Sequence, residues 1–478
     1  MPNRAGGFSP AWFAAAAGAE LQRDSEHSLE RVETDSRSAG PGSLFVALKG
    51  ERVDGHDYAL SAAESGAGAL LVSHAWYDSV GRAALDAWLG SRPAGATNPA
   101  LICATDTLAA LQRAAGAWRA LFPGLIRLGV TGSSGKTTVK ELLASILSQS
   151  RRVVKNPGNL NSEIGLPASL FLIRPEHELA VFELGINRVG EMDVLAAAYE
   201  PDCAIINNIG SAHIGMLGGT RQGIADEKKK ICSRFTGSQT LIVHEDDDFR
   251  DFLLSDIQGR GLCFGQRSLD GFGGARSLGL EGWELSYAGL SCRLALPGSH
   301  NLLNALAAIQ AATLYGASPE DVRRGLEAIQ PLSGRSQLLR GGVTVVNDCY
   351  NANAESMIAA LSFCDDADVP GRRIYVLGSM KELGDESESA HRGLGRRAAS
   401  SKADILIFYG EEALSAYQAA KDASFSGELR HFSDFDAMAA AFNRLLREGD
   451  TVLLKASRSM ALERLVDLIK DFGGTHVS

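Results

Sequence analysis

A chain of 478 residues has room for about three domains at roughly 150 residues each. Hydrophobic residues at 45% and charged residues at 22% are ordinary globular values and exclude a fibrous or disordered chain. A net charge of -10, from 47 basic and 57 acidic residues with no long basic run, argues against nucleic acid as a partner.

Seven cysteines, 103, 203, 232, 263, 292, 349 and 364, stand far apart with no C-x-x-C pair. That pattern points to a reducing compartment and away from a disulfide framework or structural zinc. The apolar run 11–19 is preceded only by Arg4 and closed by Glu20, well short of the ~20 residues of a membrane span. The expectation is a cytoplasmic protein without membrane insertion.

In the first hundred or so residues, strand-like runs at 44–48, 69–72 and 101–103 alternate with turn-rich segments at 34–37 and 49–57, which fits a small α/β domain. Ser36 and Arg37 offer the hydroxyl and guanidinium that hold a diphosphate, and equally the makings of a surface turn. The stretch 91–99 is a loop, read as an insertion near the domain's end.

A helix over 108–121 leads through Pro123 and Gly124 to TGSSGKTT at 131–138, on which the functional reading turns. Residues 125–130 read as a buried strand and 139–147 as a helix with apolar residues at helical spacing, so Gly132 and Gly135 fall between them. Such a turn aims backbone N–H groups and the positive end of the helix dipole at one spot, which suits a phosphate. In that cradle of Gly132, Ser133, Ser134, Gly135 and Thr138, Lys136 reaches the terminal phosphates and the Thr137 hydroxyl holds Mg²⁺. The usual glycine five places before Gly135 is Val130 here, so the loop is a shorter variant. The plainer alternative is a glycine turn beside a solvated lysine.

Beyond the loop, strands at 152–154, 179–184, 203–207 and 240–243 alternate with helices at 138–149, 190–198 and 221–235. This is the signature of a mostly parallel sheet covered by helices, whose ligands collect at the carboxyl ends of the strands. Glu183 ends the run 179–182, placed for the second protein position around Mg²⁺ or to cap a helix. His213 lies in the loop 207–213, on the same face. Ile224, Lys228, Ile231 and Phe235 share one helical stripe, so Lys228 points inward while Lys229 and Lys230 do not. Burial lowers a lysine's pKa and leaves an amine able to take up CO2 as a carbamate, an anion beside a metal. The alternative is a lysine whose amine snorkels to water.

NPGNLNSEIG at 156–165 is too polar for core yet follows a buried strand, and reads as a binding loop whose asparagines, Asn159 and Asn161 among them, donate to phosphate or sugar oxygens. Residues 244–296 read as an antiparallel ribbon with no chemistry assigned. Asn301 and Asn304 stand within one turn at the start of a helix over 302–315, suited to an adenine edge or to N-capping. Composition changes again at 331–335. Past it, strands at 343–346, 373–377, 405–408 and 451–455 alternate with helices at 354–363, 387–400, 411–420, 434–447 and 460–469, a second doubly wound sheet without a phosphate loop. Asp348, in NDCYNAN at 347–353, offers a carboxylate to ribose hydroxyls. GSMKELG at 378–384 and KASRSM at 455–460 are polar strand ends on the same face.

Together these segments resemble the Mur ligases of bacterial peptidoglycan synthesis. The shared pattern is the short phosphate loop, Asn159-Leu160-Asn161, Glu183, His213, Ile224-Ala225 with Lys228, His300-Asn301 with Asn304-Ala305, and Arg335, covering nearly the whole chain in the family's order. TDSR at 34–37, GSLFVALKG at 42–50, DCYNAN at 348–353 and LGSMKELG at 377–384 narrow the resemblance to the branch that adds D-alanyl-D-alanine. It implies an α/β protein of three domains: a small UDP-sugar-binding one at 1–105, a central P-loop ATPase with a mostly parallel sheet at 106–332, and a Rossmann-like doubly wound one at 333–478. It implies a monomeric ligase that joins D-alanyl-D-alanine to a UDP-N-acetylmuramoyl-tripeptide through an acyl phosphate, consuming ATP with two Mg²⁺ ions. Thr137 and Glu183 would then bind one Mg²⁺, His213 and a carbamylated Lys228 the other. Asn304 would face the adenine, Arg335 and Asp348 would contact ATP, and Ser36, Arg37 and Asn161 would lie along the diphosphate. Departures from the family pattern are Ala354 where proline is frequent, Ser162 where asparagine is, and Lys381 in place of an apolar residue.

Overall fold

The computed structural model describes residues 6–50, 52–93, 97–470 and 476–477. Arg4, Glu51 and the middle of the loop at 91–99 lie outside the described residues. The first sheet has five strands in the order Glu20–Arg23, Ala100–Ala104, Ala69–Ser73, Ser43–Val46, Arg31–Glu33, parallel except for the antiparallel first strand. Its three inner strands are buried almost end to end, the pattern expected of parallel strands covered on both faces. The two outer strands had no counterpart in the sequence reading, because they are short and set a single apolar residue among polar and charged ones.

This sheet is joined to the next by an aromatic knot. Ser9 caps the helix Pro10–Ala17 through the backbone N–H of Trp12. The helix brings Trp12 and Phe13, with Phe8 before it, against Trp118 of the helix Thr107–Ala120 and Phe171, with ring centroids 4.9 to 6.0 Å apart. Each such ring buries about 150–250 Å², so the contact that joins the first two sheets is a large apolar one.

The second sheet has six parallel strands in the order Arg260–Phe264, Thr240–His244, Cys203–Ile206, Ile126–Thr131, Leu179–Glu183, Val153–Lys155. Pairing of Val130 with Glu183 and of Thr131 with Ile206 puts the phosphate loop between the two strand ends that carry Glu183 and Asn207. Two expectations need correction here. Arg260–Phe264 belongs to this parallel sheet, and the antiparallel ribbon is confined to Phe272–Ser277, Trp283–Tyr287 and Leu290–Leu294. Its edge position leaves that sixth strand half exposed, so its apolar signal is weak. The helix expected over 221–235 ends at Lys229 and continues as one 3-10 turn, Lys230–Cys232, although Ile224, Lys228, Ile231 and Phe235 are all buried.

The last sheet has seven strands in the order Glu428–Phe432, Ile405–Tyr409, Arg373–Gly378, Thr451–Lys455, Thr344–Asn347, Gln337–Arg340, His476–Val477. Its first five are parallel, Gln337–Arg340 runs antiparallel to them, and His476–Val477 pairs antiparallel to Gln337–Arg340. The helix expected over 460–469 is a 3-10 turn at Arg458–Met460 followed by a helix at Arg464–Lys470. No helix among the described residues is long and apolar enough to cross a membrane, and all seven cysteines are free thiols.

Candidate active site

The phosphate loop is built as the sequence dictates. Gly132, at φ 150°, and Gly135, at φ 76°, carry the chain out of its strand and into the helix Lys136–Leu147. Lys136 Nζ donates back to the Gly132 carbonyl at 2.9 Å, arching over the loop. Burial pushes its pKa down and the Arg335 charge adds to the fall, while Glu183 opposes it. Thr137 donates its hydroxyl to one oxygen of Glu183 at 2.7 Å, and the Asn161 amide donates to the other at 2.6 Å. A hydroxyl and a carboxylate so paired at a strand end are hard oxygen donors of the kind Mg²⁺ takes.

Two residues hold this arrangement in place; the sequence reading counts Asn156 among the ligand-binding asparagines of its loop and gives Lys140 no role. Asn156 turns inward, accepting from the Glu183 N–H at 2.9 Å and donating to the Glu183 and Leu160 carbonyls. The fully buried Lys140 donates to the carbonyls of Asn156 and Gly158 at 2.8 and 3.0 Å. Lys140 is in phase with Thr137, Ala144 and Leu147 on the buried stripe of its helix, the same periodicity that singles out Lys228.

The loop at 207–213 braces the other side. Asn208 accepts from the Ser134 N–H at 2.9 Å, Gly210 N–H donates to the Ser133 hydroxyl at 2.8 Å, and Asn207 ties the Ser134 carbonyl to the Asn304 side-chain oxygen. Asn301 donates to the Pro297 carbonyl and accepts from Asn304 inside the helix Ser299–Leu314. The N-cap is Gly298, so the capping alternative for the two asparagines is set aside. A Cβ on Gly135 would overlap the Asn304 and Asn207 amides, besides needing a left-handed backbone that costs an L-residue about 1–2 kcal/mol. Gly135→Ala is therefore expected to weaken nucleotide binding at least tenfold, as measured by titration with a fluorescent ADP analogue.

These groups line one cleft of about 570 Å³ between the six-stranded and seven-stranded sheets. The central unit contributes Ser133 to Thr138, Asn159, Asn161, Glu183, His213, Asn301 and Asn304, and the last unit contributes Arg335, Asp348, Glu355 and Lys455. The Arg335 guanidinium lies 3.9 Å over the Tyr350 ring. Asp348 accepts from the Ser336 N–H at 2.9 Å and pairs with Lys455 at 2.6 Å, so its carboxylate is already held by a cation. His300, singled out only within a motif, also lines the cleft with a buried, unpartnered Nδ1, and burial lowers its pKa.

Three predicted residues stand apart from the cleft wall. Arg37 folds onto its neighbour Asp35, 2.9 Å from guanidinium Nε to carboxylate, and holds that carboxyl down at about 2; Ser36 is buried beneath. Neither lines the cleft. Lys228 is only 1% exposed, which removes the snorkelling alternative. Burial first, and then the Lys136 charge, drive its pKa well below the ordinary lysine value against the pull of Glu227 and Glu183. Glu227 itself is spent elsewhere, on the N–H groups of Gly190 and Met192 and on Lys230. Lys228 thus sits behind the wall, within electrostatic reach of Lys136 and Glu183.

A phosphate loop, an oxygen pair beside it and a second doubly wound unit across the cleft define a nucleotide-dependent enzyme of several domains. Family models agree on which: the Mur ligase middle domain matches residues 130–312, the Mur ligase glutamate ligase domain 334–458, and the Mur ligase family catalytic domain 28–112. The chain belongs to the Mur ligase family of ATP-dependent ligases. It is 42% identical over 449 residues to the UDP-N-acetylmuramoyl-tripeptide--D-alanyl-D-alanine ligase of Treponema pallidum, covering 92% of this chain and 94% of that one. Among solved structures it is similar to MurF from Acinetobacter baumannii, with a TM-score of 0.83 and 30% identity over 98% and 100% of the two chains. MurF ligase from Thermotoga maritima in complex with ADP gives 0.74 and 27% over 92% and 97%.

Proposed function

We propose that this chain joins D-alanyl-D-alanine to the terminal carboxylate of a UDP-N-acetylmuramoyl-tripeptide, yielding the pentapeptide precursor of peptidoglycan, ADP and phosphate. The observation that carries the reading is the meeting of Lys136 and the Thr137–Glu183 pair in one cleft, faced by Arg335 and Asp348 of the last unit. We further propose the division at 105 and 332 into UDP-sugar, ATP and closing domains, with Ser36, Arg37, Asn159 and Asn161 along the UDP-sugar path. For Ser36 and Arg37 this requires Arg37 to release Asp35 when a diphosphate arrives. Free thiols throughout suit a cytoplasmic location.

The chemistry follows from charge. A carboxylate does not accept an amine at neutral pH, so it first attacks the γ-phosphorus of ATP, and ADP leaves from the resulting acyl phosphate. The amine of D-alanyl-D-alanine then attacks the acyl carbon and phosphate leaves, taking both electrons of the C–O bond. The first step brings two anions together, and Lys136 supplies the fixed cation beside them. Thr137 and Glu183 would hold one Mg²⁺, and His213 with a carbamate on Lys228 a second; these ions supply charge neutralisation on the phosphates when bound. Asn304, with Asn301 behind it, would meet the adenine. Arg335 and Asp348 would approach ATP from the closing domain, which keeps water from the acyl phosphate.

Phosphate release measured with ATP and UDP-N-acetylmuramoyl-tripeptides ending in meso-diaminopimelate or lysine tests the proposal. Release should depend on D-alanyl-D-alanine. Release triggered by a free diamino acid and not by the dipeptide would overturn it.

A further inference from the structure

The last unit does not merely face the phosphate loop; it sits down on the segment that braces it. Residues 210–215 carry three contacts across the cleft. Glu355, in the first turn of the helix Ala354–Asp366, accepts from the Ser211 N–H and hydroxyl at 2.9 Å each. His213 Nδ1 touches the Glu382 carboxylate. Gly215 meets Gly384 backbone to backbone, so closely that a Cβ on Gly215 would fall 2.8 Å from the Gly384 nitrogen and 2.9 Å from its Cα.

On its other side the same segment reaches the phosphate loop, where Gly210 N–H donates to the Ser133 hydroxyl, and just before it Asn208 donates to the Ser134 carbonyl. His213 at φ 60° and Glu382 at φ 65° both hold the left-handed backbone that non-glycine residues adopt only when their surroundings impose it. Two strained residues touching each other across two units mark a seat with one fitted geometry.

We propose that residues 210–215 form a docking seat for the last domain, and that Gly215 and Glu355 are positioning residues that set the phosphate loop when the domain arrives. Neither touches the reacting atoms. Gly215 keeps the approach free of side chain, and Glu355 fixes the register by its bidentate grip on Ser211. The seat transmits position through the Gly210–Ser133 hydrogen bond, only one residue from the Glu355 contact. The inference rests on the ligase reading, since it concerns alignment for phosphoryl transfer.

The test pairs Gly215→Ala with Glu355→Ala and Glu355→Gln. A misalignment of the order of 1 Å costs up to about a hundredfold in rate, so Gly215→Ala should lower kcat at least tenfold. The Glu355 contact lies at an exposed rim, so Glu355→Ala should lower kcat by about threefold, with Glu355→Gln in between. Affinity for a fluorescent ADP analogue should stay within about twofold of wild type in all three, since no phosphate-loop group is removed. Small-angle X-ray scattering of nucleotide-saturated protein should show Gly215→Ala more extended than wild type. Wild-type kcat and compaction in Gly215→Ala would overturn the proposal, as would a fall in kcat matched by lost nucleotide affinity. Should the wild-type protein release no phosphate with the dipeptide, the ligase reading falls, while the scattering comparison still reports on the seat.

Discussion

Lys136→Ala is expected to cut D-alanyl-D-alanine-dependent phosphate release by roughly a thousandfold, ~4 kcal/mol of transition-state stabilisation. The size follows from position. Lys136 is a half-buried cation whose Nζ has one hydrogen bond, to the Gly132 carbonyl, with the Glu183 side chain pulling on its charge. Burial and Arg335 lower its pKa, which is the response of an ammonium that has more positive surroundings than Glu183 alone offsets. Phosphates bring negative charge, and the benefit is greatest as it builds on the transferring group. The loss should therefore fall mainly on kcat, with weaker nucleotide binding as the smaller part. Lys136→Arg should restore little, because a planar guanidinium does not fit the space of an ammonium arched over a single carbonyl. Steady-state kinetics and the ADP-analogue titration separate the two parts. Activity within tenfold of wild type in Lys136→Ala would show that this lysine is structural.

How much of this was written in the sequence depends on the range of the interaction. The phosphate loop, Glu183 and the alternation of the central sheet were legible because each rests on neighbours within a few residues: glycines between a strand and a helix, and a carboxylate after an apolar run. The helix Pro319–Ala328 was equally legible, since Ser318 and Asp321 form a capping box around Pro319, yet it went unassigned between two stronger features. Strands at sheet edges were lost for a physical reason. Arg31–Glu33 and Glu428–Phe432 need bury only one face or less, so their composition stays polar.

The clamp of Asn156 and Lys140 was hidden differently. An asparagine in a polar loop reads as free to bind a ligand, and only the fold shows its amide spent on the backbone of Glu183. Lys140 shares the phase that singled out Lys228, but its neighbours in the sequence do not say which carbonyls it will satisfy. The docking contacts are farther still from sequence, with Ser211 and Glu355 separated by 144 positions. What the chain encodes locally is the catalytic cradle; what it encodes only through the fold is how that cradle is held and when it is closed.

Lys228→Ala is the second substitution expected to be severe, lowering turnover by roughly a thousandfold if its carbamate completes a cation site. The buried amine is the reactant. Its depressed pKa, caused by burial and then by Lys136, favours the neutral amine over the ammonium. On the proposed carbamate reading, the neutral nitrogen would attack the carbon of CO2, forming a C–N bond while a proton leaves to solvent, and the lysine would end as an anion. That charge change answers the electrostatics of the site: Lys228 as an ammonium would repel Lys136, whereas a carbamate attracts it. Protons and CO2 compete for the same lone pair, so carbamate occupancy should fall as pH falls. Incubation of the wild-type protein with ¹³C-labelled bicarbonate should give a carbamate carbon resonance that is absent from Lys228→Ala. Acetate or propionate should partly restore turnover to the variant by placing a carboxylate in the vacated space, with no effect on wild type. Full activity in Lys228→Ala without added acid would refute the carbamate, and a missing resonance in a fully active wild-type protein would assign Lys228 to packing alone.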